Sequence, residues 1–377
     1  MGKTSIEWTA RPGTQGESWN VVTGCTPVGP GCLHCYARRQ AERFWPTQYL
    51  GAGTYPWKGK EHPWVYPPHE RGRTFADVMY HPERLEAPLH WRGPRTVLVT
   101  SMGDLWHPDV PDAFIDQVQA VMQLCPEHLF IDVTKRPERR RDYLLTPGLY
   151  DRILHQADIL RARFPRKRLS GIGVPDPAKH PAPWIWRLTS IEDQATADSR
   201  IPPTLETPAA VRGVSAEPLL GPVDLVHLEN PDDHCHASAL HRQHDDNRYE
   251  FDNRLDWVIV GGESGPQARP CRVAWIRTIV KQCQGADVPV FVKQVGAYAV
   301  DRNDRLGDEG PGYDPCDPRD WPEPERGWDD GSRGNIERLD DGYQGAPVHI
   351  RLKSRKGNDP AEWPADLRVR EFPERRR

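Results

Sequence analysis

The chain has 377 residues, of which 37% are hydrophobic, and its formal net charge is −4. This length suffices for one large domain or two ordinary ones, and the charge excludes a uniformly basic surface of the histone kind. The sequence contains no apolar run of about 18 residues, and residues 1–10 lack the basic start and apolar stretch of a signal peptide. We therefore expect a cytoplasmic protein that neither spans nor binds a membrane.

Seven short apolar runs, most of them rich in β-branched or aromatic residues, alternate with segments of helical spacing. Such runs are typical of buried strands, and helical patterns follow the second run at residues 111–122 and the sixth at residues 275–283. The predicted strands occupy residues 20–24, 96–100, 129–134, 184–189, 211–215, 256–261 and 288–293.

Repeated strand–helix units predict parallel strands with right-handed crossovers. We therefore expect an α/β fold with a full or partial (β/α) barrel of six to seven parallel strands, and a doubly wound open sheet is the alternative. The barrel is assigned to residues 1–300. A loop-rich C-terminal extension that packs on the barrel is assigned to residues 301–377.

Two stretches inside the predicted barrel have the composition of insertions. Residues 45–72 are rich in Trp, Tyr, Pro and His, and residues 228–255 are polar. The second stretch carries His234, Cys235 and His236, and imidazole and thiolate groups are zinc ligands. It is either a metal site or a solvated loop.

Polar residues follow most of the predicted strands. In parallel α/β folds, the carboxyl ends of the strands and the loops after them build the active site. The pattern predicts an active-site rim, although strand ends also carry polar residues for structural reasons alone. The candidate rim residues include Asp104, Lys135, Ser190, Glu217, Glu263 and Lys293.

Three of the eight cysteines, Cys25, Cys32 and Cys35, fall within eleven residues. Disulfides are rare in the reducing cytosol, so this clustering favours metal or redox chemistry. Three thiolates can hold three irons of a [4Fe–4S] cluster and leave the fourth iron open to a small ligand. The alternatives are a structural zinc site, completed by a fourth ligand such as His34, and plain thiols.

Several segments resemble a phage-associated family of radical-SAM-like proteins of unassigned function. The resemblance begins with SIEWT at residues 5–9, WNVVTGC at 19–25 and GCLHCYA at 31–37. It continues, in order, with HPERL at 81–85, SMGDL at 101–105, TKRPER at 134–139, EPLLGPV at 217–223, WVIVGGESG at 257–265 and FVKQVG at 291–296. One departure is that six residues separate Cys25 from Cys32, whereas the common radical-SAM loop has three.

The resemblance implies a [4Fe–4S] cluster and S-adenosylmethionine (SAM) as cofactors, with Cys25, Cys32 and Cys35 as the cluster ligands. It implies that Asp104 meets the SAM amino group, and that Ser190 and Glu192 contact the ribose. Candidate catalytic residues, which contact SAM or a carboxylate or phosphate of the substrate, are Lys135, Glu217, Glu263 and Lys293.

The sequence thus predicts a radical-SAM-like iron–sulfur enzyme that cleaves SAM reductively to modify an unknown substrate. Phage association and several arginines make nucleic acid or a nucleotide a candidate substrate. These arginines are Arg38, Arg39, Arg136, Arg139, Arg140 and Arg141. The expected partners are an external electron donor and a three-Cys-motif partner protein, in a bacterium or a phage-infected host cell. The alternatives are a zinc- or cluster-stabilised phage binding module without catalysis, and a cluster-bearing barrel that serves as a partner subunit.

Overall fold

The structure of the protein is a computed structural model. No helix in the described part of the chain is long and apolar enough to cross a membrane. The structure describes residues 2–44, 55–57, 60–62, 74–165, 169–229, 236–240, 254–265, 267–302, 347–350, 352–354 and 356–373.

Helices and strands alternate along much of the chain. The helices are α1 (Tyr36–Phe44), α2 (Asp112–Gln123), α3 (Pro137–Leu144), α4 (Leu149–Arg163), α5 (Gln194–Leu205) and α6 (Val273–Gly285). The strands are β1 (Gly2–Lys3), β2 (Gln15–Trp19), β3 (Val22–Thr23), β4 (Tyr55–Trp57), β5 (Lys60–His62), β6 (Met79–Tyr80), β7 (Arg95–Val99), β8 (Leu129–Thr134), β9 (Ile185–Ile191), β10 (Val211–Ala216), β11 (Leu228–Glu229), β12 (His236–Ala237), β13 (Trp257–Gly261), β14 (Cys271–Arg272), β15 (Val290–Gln294), β16 (Ala299–Arg302) and β17 (Pro347–His349).

The chain divides into two compact units, each made of segments that are separate in sequence. The first comprises Met1–Ser190, Ser199–Ser215 and Pro373–Arg377. The second comprises Ile191–Asp198 and Ala216–Phe372.

In the first unit, β2, β7, β8 and β9 pair side by side in parallel, and β1 pairs antiparallel with β2. Helix α2 covers the core because its apolar residues recur at helical spacing, so that Ile115, Val118 and Met122 are fully buried. It begins after Pro111, whose extended backbone ends the preceding loop. The rings of Trp19 and Phe130 lie 5.8 Å apart and join β2 to β8 in that core.

In the second unit, β13 and β15 pair in parallel, and α6 lies between them in sequence. The C-terminal segment packs on these two strands. The Val292 amide donates to the Val369 carbonyl (2.9 Å), and Trp257 Nε1 donates to the Glu371 carbonyl (2.9 Å). The Trp257 and Phe372 rings lie 5.5 Å apart, so apolar contact supports this backbone pairing.

Counted over both units, seven parallel strands occur together with helices between them, so the predicted α/β class of partial-barrel type is confirmed. Six of the seven predicted runs coincide with β7, β8, β9, β10, β13 and β15 to within two residues. Of the predicted insertions, 45–72 is described only in the antiparallel pair β4–β5, and 228–255 only at residues 228–229, 236–240 and 254–255.

The first predicted strand, at residues 20–24, is wrong. The first parallel strand is β2, and residues 22–23 instead form β3, which pairs antiparallel with β6. The chain turns sharply at Asn20, where the Val21 amide donates to the Trp19 carbonyl (3.1 Å). Val21 and Val22 are buried, so they are apolar because they pack in the core after the turn, and not because they belong to the parallel sheet.

Candidate functional site

Cys25 is held by backbone hydrogen bonds next to the segment that follows β7. The Gly24 amide donates to the Met102 carbonyl (2.9 Å), and the Cys25 amide donates to the Phe75 carbonyl (2.8 Å). Gly24 has a φ of +87°, and a Cβ there would lie 2.5 Å from the Asp77 carbonyl oxygen. Only glycine therefore suits the position before this cysteine.

Cys32 and Cys35 lie in a compact turn that leads into α1. The Cys32 amide donates to the Gly29 carbonyl (3.0 Å), and the Cys35 amide donates to the Cys32 carbonyl (3.3 Å). The Cys35 carbonyl then accepts from the Arg39 amide (3.2 Å), so the helix starts directly after the third cysteine. Glycine and proline residues between Cys25 and Cys32, namely Pro27, Gly29, Pro30 and Gly31, favour tight turns of the chain before Cys32.

The three cysteines are free thiols, and each is partly buried. Cys25 and Cys35 pack against a small apolar cluster of Ala37, Ala41, Phe75 and Met102. These two sulfur-bearing side chains are therefore shielded on one side by core residues.

A set of charged and polar side chains surrounds Cys25. Arg136 Nη1 donates to Asp104 Oδ2 (2.9 Å) and to Cys25 Sγ (3.4 Å). Arg136 Nη2 donates to the Thr26 carbonyl (2.9 Å) and to Thr26 Oγ1 (3.1 Å), and Thr26 Oγ1 lies 2.8 Å from His107 Nε2. We call Thr26, Asp104, His107, Thr134 and Arg136 the loop cluster.

The electrostatics of Cys25 reflect opposing effects. Burial raises the pKa of the Cys25 thiol to about 11, and the Asp104 carboxylate acts in the same direction, whereas Arg136 lowers it. Burial also lowers the pKa of His107, and the Arg136 cation adds to that effect. Within the described residues, no group of three or more His, Cys, Asp or Glu side chains is arranged so that it could hold a metal ion.

Among the predicted site residues of the first unit, the Asp104 carboxylate is engaged with the protein, and Lys135 and Ser190 make backbone contacts. Asp104 accepts hydrogen bonds from Thr134 Oγ1 (2.8 Å), the Trp106 amide (3.0 Å) and Arg136. The Lys135 amide lies 3.5 Å from Asp104 Oδ2. The carbonyl oxygen of Ser190 accepts from Arg200 Nη1 (2.8 Å).

In the second unit, the structure brings Glu217 and Lys293 together, with Lys293 Nζ 3.0 Å from Glu217 Oε1. Both side chains are largely buried at the ends of β10 and β15. Gly261 permits this approach, since a Cβ there would lie 2.8 Å from Glu217 Oε1. The two groups form a partly buried ion pair in the second unit.

Glu263 and Glu192, also in the second unit, have other partners. Glu263 Oε2 accepts from the Arg269 amide (2.9 Å) and from Arg269 Nε (3.0 Å), and Glu263 Oε1 accepts from Arg269 Nη2 (2.8 Å). Glu192 is fully buried, and its carbonyl accepts from the Leu220 amide (2.7 Å). Sequence reasoning missed Arg269, because nothing in its surroundings indicates which carboxylate it would meet.

Sequence reasoning also missed Thr26 and His107. Both had an available signal, because Thr26 follows the first cysteine and His107 lies three residues after Asp104 on the same post-strand segment.

The arginines that suggested a nucleic-acid surface mostly pair within the first unit. Arg38 Nη2 donates to the Cys32 carbonyl (2.9 Å), Arg139 pairs with Asp112 (2.9 Å), and Arg141 pairs with Glu206 (2.7 Å). Arg140 is fully buried, and it donates to the Leu188 carbonyl (2.7 Å). Burial and pairing reduce what these groups contribute to phosphate attraction.

No curated protein and no solved structure matches the chain. A protein-family model does match, over residues 3–346. That model is described as a protein of unknown function, and because it covers most of the chain, this protein belongs to the family DUF5131.

Proposed function

We propose that this protein is a radical-SAM-type iron–sulfur enzyme that binds a [4Fe–4S] cluster through Cys25, Cys32 and Cys35. The observation that carries the proposal is the cysteine segment itself. Three free, partly buried thiols lie within eleven residues, beside the end of a parallel strand, with a buried Arg–Asp pair against the first of them. Active sites of parallel α/β folds occupy this end of the sheet.

The donor chemistry of the segment fits such a cluster. Thiolates are the ligands that iron–sulfur clusters take, and hydrogen bonds to their sulfurs tune the bound cluster. Arg136 supplies one such N–H group to Cys25, while Phe75 and Met102 keep water from one side of the segment. When bound, the cluster would supply the electron that cleaves SAM to a 5′-deoxyadenosyl radical.

The chain's own residues have defined tasks in this proposal. Backbone hydrogen bonds hold Gly24 and Cys25, and a turn holds Cys32 and Cys35. The three thiols are not grouped as a metal site in the structure, so cluster binding would require them to come together. Because the cleavage is reductive, an external electron donor is the required partner.

The test is anaerobic reconstitution with iron and sulfide, followed by addition of dithionite and SAM. We expect about four irons per chain and formation of 5′-deoxyadenosine. Replacing Cys25, Cys32 or Cys35 with Ala should remove most bound iron and abolish 5′-deoxyadenosine formation. The matched controls Cys125→Ala and Cys283→Ala concern buried thiols outside the segment, and both variants should keep both properties.

Two outcomes would contradict the proposal. In one, the triple Cys-to-Ala variant retains iron, so the segment does not hold the cluster. In the other, the purified protein carries one zinc per chain and takes up no iron. The second outcome would support the zinc-stabilised binding module instead.

A further inference from the structure

The guanidinium of Arg136 connects the cysteine segment to the end of β8. It makes four hydrogen bonds, two of them to the backbone and hydroxyl of Thr26, one to Cys25 Sγ and one to Asp104. The Arg136 and Asp104 side chains are only 10% and 7% exposed. A planar, forked donor is needed for this pattern, and lysine does not offer one.

The Asp104 carboxylate, which orients this guanidinium, is itself held in place by hydrogen bonds. Thr134 Oγ1 lies within hydrogen-bonding distance of both Asp104 carboxylate oxygens (2.8 and 2.9 Å), and the Trp106 amide donates to Oδ1 (3.0 Å). Thr134 Oγ1 also accepts from the Arg136 amide (3.0 Å). Asp104 therefore holds Arg136 in the rotamer that reaches the cysteine segment.

We infer that Arg136 is the positioning residue of the cysteine segment, and that Asp104 orients Arg136 rather than binding SAM. Arg136 fastens the segment at Thr26, and it places a positive N–H group against the sulfur of Cys25. This attachment of the segment through the Arg136–Thr26 hydrogen bonds, which we call the fastening, does not depend on a bound cluster. The effect of the positive charge on a bound cluster rests on the proposed function.

The fastening is tested in the metal-free protein by amide hydrogen exchange of peptides from residues 24–36. Arg136→Met removes both the charge and the hydrogen bonds, and we expect exchange there to become about tenfold faster or more. Arg136→Lys keeps the charge but loses the fork, so it should also accelerate exchange. Should Arg136→Met prove too unstable to study, Thr26→Val tests the same contact more mildly.

Arg152→Met is the matched control for exchange. Arg152, on α4, pairs with the mostly buried carboxylate of Asp116 on α2 (3.0 Å) and lies over the Tyr143 ring. This variant should leave exchange at residues 24–36 unchanged. Equal acceleration in the control, or wild-type exchange in Arg136→Met, would overturn the fastening role.

The charge effect is tested on the reconstituted protein by iron uptake and by a reductive titration of the cluster. A lost contact to a ligand weakens metal binding about 10- to 100-fold, so Arg136→Met should take up iron correspondingly less tightly. Its midpoint potential should become more negative, because a positive hydrogen-bond donor has been removed. Arg136→Lys should stay nearer the wild-type potential, and a purely structural role would not separate these two variants.

The proposed function and the role of Arg136 can be disproved independently of each other. If the wild-type protein takes up no iron while Arg136→Met still accelerates exchange, the proposed function fails and the fastening stands. If iron binds and the potential of Arg136→Met equals that of the wild type, the charge effect is overturned.

Discussion

Two buried Arg–Asp pairs in the described part of the first unit have the same chemistry and different surroundings. One is the Asp104–Arg136 pair of the loop cluster. The other lies on neighbouring strands, where Asp132 of β8 and Arg187 of β9 face each other in register and bond at 2.8 Å. We call the second set, which consists of Asp132, Arg187, Trp106 and Gln119, the inner cluster.

The side chains that bond the Asp132–Arg187 pair lie in the core. Trp106 Nε1 donates to the Asp132 carboxylate (2.9 Å), and Arg187 Nη2 donates to Gln119 Oε1 (2.7 Å). Its charged side chains are only 1% and 4% exposed, and all its partners belong to the core. In the loop cluster, by contrast, the arginine reaches an irregular segment and a thiol. A buried ion pair therefore indicates a functional site only when its further hydrogen-bond partners lie outside the core.

The largest expected effect is on the free energy of unfolding and concerns the inner cluster. Arg187→Met removes the cation that is hydrogen-bonded to the fully buried Asp132 and leaves Arg140 as its charged neighbour, and we expect a loss of about 3 to 5 kcal/mol in the free energy of unfolding. Urea denaturation measures this loss. The double variant Asp132→Asn/Arg187→Met should lose less than the sum of the single losses, because Asp132 and Arg187 bond each other directly. Additive losses would contradict this view of the inner cluster.

A smaller effect tests whether the clusters act independently, because Trp106 touches both of them. Its backbone amide bonds Asp104, whereas its indole N–H bonds Asp132. Trp106→Phe removes the indole bond to a charged group and part of a fully buried ring, and we expect a loss of at least about 1.5 to 3 kcal/mol. Hydrogen exchange at residues 24–36 should stay as in the wild type. Faster exchange there would show that the inner cluster also positions the cysteine segment.

The comparison also shows what the sequence can predict. Strands such as β8 and β13 are predictable because buried parallel strands need continuous β-branched or aromatic runs. Strand β2, with the sequence Gln15-Gly16-Glu17-Ser18-Trp19, lacks such a run, because only part of it faces the core. Its neighbour on the outer side is the two-residue strand β1. Edge position thus hides a strand whose pairing is otherwise regular.

The candidate site is predictable to a similar degree. The Cys25–Cys35 spacing and the polar strand ends locate the segment, because both are local patterns. The pairing of side chains depends on the tertiary fold, because the partners are distant in sequence. Nothing local indicates that Asp104 bonds Arg136, 32 residues later in the chain, rather than a ligand. Likewise, nothing indicates that Arg269 takes up the carboxylate of Glu263.

The smallest expected effect concerns pH, because the loop cluster contains a histidine and the inner cluster does not. His107 is buried, its Nδ1 accepts from the Asp109 amide (3.2 Å), and its Nε2 faces Thr26, so it is neutral in the fold. Burial and the positive charges of Arg136 and Arg139 lower its pKa, although Asp109 and Asp104 oppose this effect.

As the pH falls through about 6.5, the unfolded chain therefore binds a proton at His107 more readily than the folded protein does, because folding lowers the pKa of this group. Unfolding of the metal-free wild type should become easier as the pH falls, by at most about 1.4 kcal/mol per pH unit from this group. His107→Gln keeps an amide that can bond Thr26 but cannot titrate, so it should lose that part of the slope. His155→Gln, at an exposed position on α4, is the control and should retain the slope. Urea denaturation at pH 7.5, 6.5 and 5.5 gives the three slopes, and equal slopes for His107→Gln and the wild type would exclude His107 as the pH-sensitive member of the loop cluster.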